Sequence, residues 1–277
     1  MNAPASQKLK ELLDARYGHG PKTLEAMNET IDTLLEHRSV RAFTDQPLAP
    51  NTLELLIAAA QSASTSSNLQ TWSVVAVEDP ARKQRLSDLA GKQAFINSAP
   101  LFLVWIADLA RMQTLGDQRE KPYGSLDYLE MLLVATIDSA LAAQNAAIAA
   151  ESLGLGTVYI GAIRNNLEGV AQELGLPPRA FATFGMCIGH PDAAQLSAIK
   201  PRLPQASVLH KEQYNLAVHA EVVPGYNETM DAFYAAQKMK PLGAWDLHSL
   251  NRVRGPEAMA GRDGMVAALN KLGFALK

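Results

Sequence analysis

The chain has 277 residues, 48% hydrophobic and 19% charged, enough apolar material for one substantial core or a core with a smaller appendage. A formal net charge of -3 and a pI of about 6.1 imply no strongly basic face, which argues against nucleic acid as a partner and leaves any bound anion to a local cluster. The single cysteine, Cys187, excludes an intramolecular disulfide framework, fits a reducing compartment and reads as a buried, inert thiol in the apolar run FGMCIGH.

The N-terminal stretch MNAPASQKLKELLDARYGHG has no apolar h-region, so no signal peptide is expected and a cytoplasmic location follows. It is polar and helix-prone and reads as a loosely attached extension over residues 1–25, ahead of one folded domain over residues 26–277. TLEAMNETIDTLLEH spaces Leu24, Met27, Ile31, Leu34 and Leu35 at helical intervals. It runs into HRSVRAF (37–43), a dense donor cluster. Its arginines could complement a helix dipole or fork onto an anionic ligand. LAPNTLELLIAAAQSAS starts a second helix at Pro50-Asn51-Thr52, with Glu54 in its first turn. STSSNLQTW (64–72) follows, a polar turn or a hydroxyl-rich ligand edge.

Short β-prone runs fall at Ser73–Val77, Leu101–Ala107, Thr157–Gly161 and Thr183–Gly189. The long apolar stretch 126–153 is interrupted by Asp127, Glu130, Asp138, Gln144, Asn145 and Glu151, which argues for a core or interface helix over a membrane span. Its alanine face (Ala135, Ala140, Ala142, Ala143, Ala146, Ala147, Ala149, Ala150) suits either a dimer seam or close packing within the chain. Gly154 and Gly156 follow a helix and precede a strand, the reverse of a dinucleotide-binding turn, so Gly154 reads as a helix stop. Gly161 ends the third strand where a ligand could approach bare backbone, and Asn165 or Asn166 caps the next helix, NNLEGVAQELGLPP. KPRLP (200–204) holds two cations on a stiff loop, either solvated or ligand-facing. NETMDAFYAAQKMK is a further helix, followed by an irregular stretch and a last helical piece. The scattered histidines have no metal-ligand spacing, and no Walker, zincin or nucleophile-elbow motif occurs, so no metal site is expected. Helices and strands without strict alternation indicate an α+β fold.

In order and spacing, HRSVRAFTDQPL, the serine-rich segment ending in LQ, AAESLGLGTVYIGAIRNN, FGMCIGHP and KPRLP resemble the FMN-dependent nitroreductase superfamily. The similarity is to its oxygen-insensitive NADPH nitroreductase and flavin reductase branch, over roughly residues 28–277. The resemblance implies a mixed, largely antiparallel sheet flanked by helices in an intertwined homodimer with shared FMN sites. His37, Arg38 and Ser39 then meet the FMN phosphate and ribityl chain, and Lys200 and Arg202 complete a phosphate clamp. Arg41 lies beside flavin N1 and the O2 carbonyl, where it and Gly161 are the expected catalytic positions. Thr65, Ser66 and Asn68 reach the flavin from the partner chain, and Gln93 reads the polar edge of the ring. Tyr159, Ile160, Gly161 and Ala162 lie along the ring, with a backbone N–H near Gly161 directed at N5. The implied activity is ping-pong two-electron transfer from NADPH, or NADH, to nitroaromatics, quinones or similar small acceptors, with the cofactor carrying the chemistry. Where NADPH-specific relatives carry an arginine-rich loop for the 2′-phosphate, this chain has Lys238 and Lys240, and Arg262 matches a family arginine near the acceptor. The alternatives are a flavin reductase supplying reduced flavin to a partner and a non-catalytic flavin-binding protein.

Overall fold

In the computed structural model of the chain, residues 3–18 and 28–277 are described, without the side chains of residues 3–6. The elements are α1 (Ala3–Tyr17), α2 (Glu29–Glu36), α3 (Thr52–Gln61), β1 (Trp72–Val77), α4 (Pro80–Leu89), α5 (Ala94–Ser98), β2 (Leu101–Asp108), α6 (Ala110–Arg119), α7 (Leu129–Ser152), β3 (Gly156–Ile160), α8 (Leu167–Leu174), β4 (Ala180–Gly189), α9 (Val218–Ala236), α10 (Trp245–Arg252) and α11 (Met265–Lys271). They form two compact units: residues 1–38 with 197–259, and residues 39–196 with 260–277.

The larger unit holds the expected α+β core. Its strands pair in the order β1-β2-β4-β3, all antiparallel, and a parallel bridge from Ser39 to Thr157 makes the pairing mixed. β2 and β4 are central and buried on both faces, which explains their unbroken apolar runs. Side-chain alternation along β2 divides the core. Phe102, Val104 and Ile106 face Leu86 of α4, Ile96 of α5 and Val170 of α8. Leu101, Leu103 and Trp105 face Leu56 and Ala60 of α3 and the alanines of α7. The β2–β4 register passes from Trp105↔Phe184 to Ile106↔Ala182, so Thr183 is an extra, bulged residue.

α7 is long and apolar enough to cross a bilayer, yet Ala135, Ala142, Ala143, Ala146, Ala147 and Ala150 are buried within this chain. Of the two uses for the alanine face, close intrachain packing is the one observed. Past Ser152, Gly154 takes a φ of 76°, and Gly175 caps α8 at 65°, left-handed stops of the kind expected at both positions. Asn166 caps α8, its side chain accepting from the Gly169 N–H at 2.9 Å.

The smaller unit is helical. Tyr226, Met230 and Tyr234 of α9 pack with Leu203, Phe233 and Trp245. α1 is not the loose extension expected of it: Leu9, Leu12 and Leu13 are buried, and Lys8 pairs with Asp32 and Glu36 of α2. α2 begins after Asn28, whose side chain accepts from the Ile31 N–H at 3.0 Å; the expected helical positions Leu24 and Met27 lie outside the described residues. α9 starts nine residues' worth of chain earlier than NETMDAFYAAQKMK suggested, because the helix runs through Pro224 instead of starting after it. α10 forms inside the stretch expected to be irregular.

A Cβ at Gly185 of β4 would overlap the ring of Phe102, a fully buried side chain with no room to withdraw. Gly185→Ala is therefore expected to destabilise the chain by about 1–3 kcal/mol, measured by urea denaturation.

Candidate functional site

Two neighbouring residues of α7 organise the segments of the larger unit that are expected to face a ligand. Asp138 is almost fully buried. One carboxylate oxygen accepts from the Ser66 N–H at 3.0 Å, and the other accepts from the Thr71 N–H and hydroxyl, both at 3.1 Å. The carboxylate thus pins Ser66 and Thr71, the two ends of a loop that includes most of the expected 65–68 ligand edge. Between those ends Ser67, Asn68 and Gln70 have φ values of 50°, 53° and 52°, left-handed backbone that non-glycine residues adopt only when the surroundings impose it. From the other side Arg111 donates to the Gln70 carbonyl at 2.8 Å and to the Ser73 hydroxyl at 2.9 Å. Thr65 is half-buried, and Ser66 and Asn68 are exposed on this braced loop.

Ser139, the next residue, bonds the Thr183 hydroxyl at 2.9 Å, and Thr183 donates its own proton to the Trp105 carbonyl at 2.9 Å. A hydroxyl has one proton, so Ser139 is the donor in the first bond. The bulge at Thr183 leaves its carbonyl to accept from the guanidinium of Arg164. That guanidinium faces Gly161, with Nη2 3.4 Å from where a Cβ would stand. Burial and the nearby Arg262 both push its pKa down, with burial the larger cause. The expected ring-facing residues Tyr159, Ile160, Gly161 and Ala162 thus run from β3 into a 3-10 turn whose backbone is bare at Gly161. Burial holds the Tyr159 hydroxyl protonated by raising its pKa, and its ring meets Phe184 edge-on at 5.3 Å. Arg164 also borders a 260 Å³ cleft with Asn166, Gly261, Met265 and Lys271. Gly261, next to the expected acceptor-site residue Arg262, lines the same cleft, and a Cβ on it would stand 3.4 Å from the Asn165 carbonyl oxygen. Gln93 is half-exposed at the start of α5, its carbonyl accepting from the Ser87 hydroxyl at 3.0 Å. Ser39 and Arg41 flank Val40, whose N–H donates to the Thr157 carbonyl at 2.9 Å, and Arg41 is exposed. Cys187 is buried and its pKa raised by burial, as an inert thiol requires.

In the smaller unit, two distant segments converge on one guanidinium. Arg16 donates to the carbonyls of Leu35, at 3.1 Å, and His37, and also to the carbonyl of Lys200, at 3.2 Å. The expected anion ligands His37 and Arg38 are therefore brought beside Lys200 and Arg202. His37, Arg38 and Lys200 are half-exposed, and Arg202 is exposed. Lys238 and Lys240 are exposed just beyond the end of α9. The sequence reading missed Arg16, Asp138 and Arg164 as parts of this framework; the one available signal was a lone acidic residue in the middle of an alanine-rich helix.

Residues 34–190 match the nitroreductase family, and residues 200–277 match the nitroreductase family C-terminal domain. The chain belongs to the nitroreductase family. It is 44% identical over 211 residues to an FMN reductase (NADPH) of Bacillus subtilis, spanning 75% of this chain and 84% of that one. It is 40% identical over 250 residues to the NADPH-flavin oxidoreductase of Vibrio harveyi, spanning 90% and 99%. The solved structure of NfrA2 from B. megaterium superposes with a TM-score of 0.85 at 37% identity, covering 91% of this chain and all of that one. The nitroreductase fold is thus shared along nearly the whole chain.

Truncating the Asp138 side chain removes the acceptor of buried donors from Ser66 and Thr71. Asp138→Ala is expected to cost on the order of 3 kcal/mol in urea melts, with increased protease cleavage confined to residues 64–71.

Proposed function

We propose that this nitroreductase-family chain is an FMN-dependent NAD(P)H oxidoreductase that reduces nitroaromatics, quinones or similar flat acceptors by two electrons. The observation that carries the reading is the convergence of His37 and Arg38 with Lys200 and Arg202, on the frame that Arg16 bonds together. This donor set suits a phosphate dianion, and the bare backbone at Gly161 suits a flat ring. His37, Arg38, Ser39, Lys200 and Arg202 would hold the phosphate end. Thr65, Ser66, Asn68, Gln93 and residues 159–162 would contact the ring system. Bound FMN supplies hydride-accepting and hydride-returning chemistry, so the protein needs no nucleophile of its own. Arg41 offers a fixed positive charge to the polar edge of the ring, and the Gly161 segment orients it. Lys238 and Lys240 are assigned to the nicotinamide nucleotide's 2′-phosphate and Arg262 to the acceptor. NADPH is the preferred donor, with NADH as a second.

The working form is a homodimer. Leu129, Leu133, Ile137 and Leu141 recur every fourth residue along α7 and are 44–56% exposed, forming an apolar stripe opposite the buried alanines. A second copy covering this stripe would also bring Thr65, Ser66 and Asn68 to the partner's flavin. The cytoplasm is the proposed location, and residues 26–277 are proposed as the FMN-binding domain, with residues 1–25 added to it. The names of the relatives favour a second reading, release of reduced flavin to a partner. Turnover with free FMN set against turnover with a nitrofuran separates the two.

Anaerobic mixing of the yellow holoprotein with NADPH should bleach the flavin band rapidly; a stable yellow colour overturns the enzyme reading. Arg41→Ala should slow that bleaching more than it weakens FMN binding, whereas Arg38→Ala and Lys200→Ala should chiefly weaken binding; equal cofactor loss with intact reduction rates contradicts this division. Ile137→Arg should shift the sedimentation coefficient to that of a monomer and release FMN.

A further inference from the structure

We propose that Arg16 of the N-terminal helix is a positioning residue for the phosphate clamp, so that α1 serves to retain FMN as a resident cofactor. The proposal rests on the FMN reading above. α1 lies ahead of the nitroreductase family match, which begins at residue 34. A helix merely tethered to the fold would present its polar residues to water. Instead Leu9, Leu12, Leu13 and Arg16 share one face at helical spacing and are all buried, with Arg16 only 5% exposed.

Burying a guanidinium is costly unless its donors are used. The planar fork of Arg16 meets this condition by donating to three backbone carbonyls. Leu35 and His37 stand at the C-terminal end of α2, where carbonyls lack partners inside the helix and the helix dipole favours a cation. α2 has no basic residue in its own last turn, so Arg16 supplies that cation from another helix. The third acceptor is the Lys200 carbonyl, and the backbone carbonyl of Arg16 accepts from the Arg202 N–H at 2.7 Å. Side chain and main chain of one residue therefore bind the backbones of His37, Lys200 and Arg202. Tyr226 adds a bond to the Pro201 carbonyl at 3.0 Å, so the 200–202 segment is held from both sides. These bonds fix the backbone from which the side chains of His37, Lys200 and Arg202 project.

Such a residue acts on the phosphate end of the ligand and not on its ring. Dissociation constants of FMN and of riboflavin, which lacks the phosphate, are measured with the full-length protein by flavin fluorescence quenching. Arg16→Met keeps the side chain's bulk without its donors and should weaken FMN about tenfold while changing riboflavin less than about twofold. The rate of flavin reduction by NADPH at saturating FMN should stay within about twofold of wild type. Arg16→Lys, which can reach one segment but not bridge both, should give an intermediate, FMN-selective loss. It also serves as the test if Arg16→Met does not fold. Equal weakening of FMN and riboflavin in the folded variants, or unchanged FMN affinity, overturns the proposal. A wild-type chain that takes up neither flavin instead overturns the FMN reading on which it rests.

Discussion

The 65–71 loop and the Gly161 turn of the larger unit both depend on one polar turn buried in an apolar helix. Asp138 and Ser139 are adjacent on α7, among alanines that press against the sheet. The carboxylate fixes the 65–71 loop, and the hydroxyl, through Thr183, sets the carbonyl that holds Arg164 against the Gly161 turn. A hydrogen bond in this low-dielectric setting is stronger than one in water, and a missing partner is correspondingly expensive. That asymmetry makes the arrangement rigid. Left-handed backbone at Ser67, Asn68 and Gln70 can persist only because its ends are tied.

The bulge at Thr183 is what makes the second arm possible. In regular antiparallel pairing a residue of a central strand has its carbonyl occupied by the ladder. Displacing Thr183 from the β2 register leaves its carbonyl for a side chain and aims its hydroxyl at α7. The smaller unit uses the same principle with the signs reversed. There a buried cation, Arg16, satisfies backbone acceptors, as Asp138 satisfies backbone donors. In both units a buried charged side chain fixes main chain near the residues expected to meet the ligand.

Much of the architecture was legible in the sequence. The β-prone runs appear as strands within a few residues of their expected ends, because apolar periodicity and flanking turn residues act locally. The stops at Gly154 and Gly175 and the cap at Asn166 were readable for the same reason. α9 was shortened in the reading because Pro224 is a strong local breaker, and the surrounding packing of Tyr226, Met230 and Tyr234 outweighs it. Asp138 was visible only as an interruption of an apolar stretch, and Arg16 only as one charge in a polar helix. A side chain's donors and acceptors are written in its identity; their partners are not.

The sequence by itself determined the family, the α+β class and the ordered clusters HRSVR, TSSN, YIGA and KPR that would meet the cofactor, because each is a contiguous pattern carrying its own chemistry. Tertiary structure alone decided how those clusters are held. Arg16 and Lys200 are 184 positions apart, and Ser66 and Asp138 are 72 apart. No local rule links residues at such separations. Their pairing follows from burial, which removes water as a partner and obliges each polar group to find another within the fold.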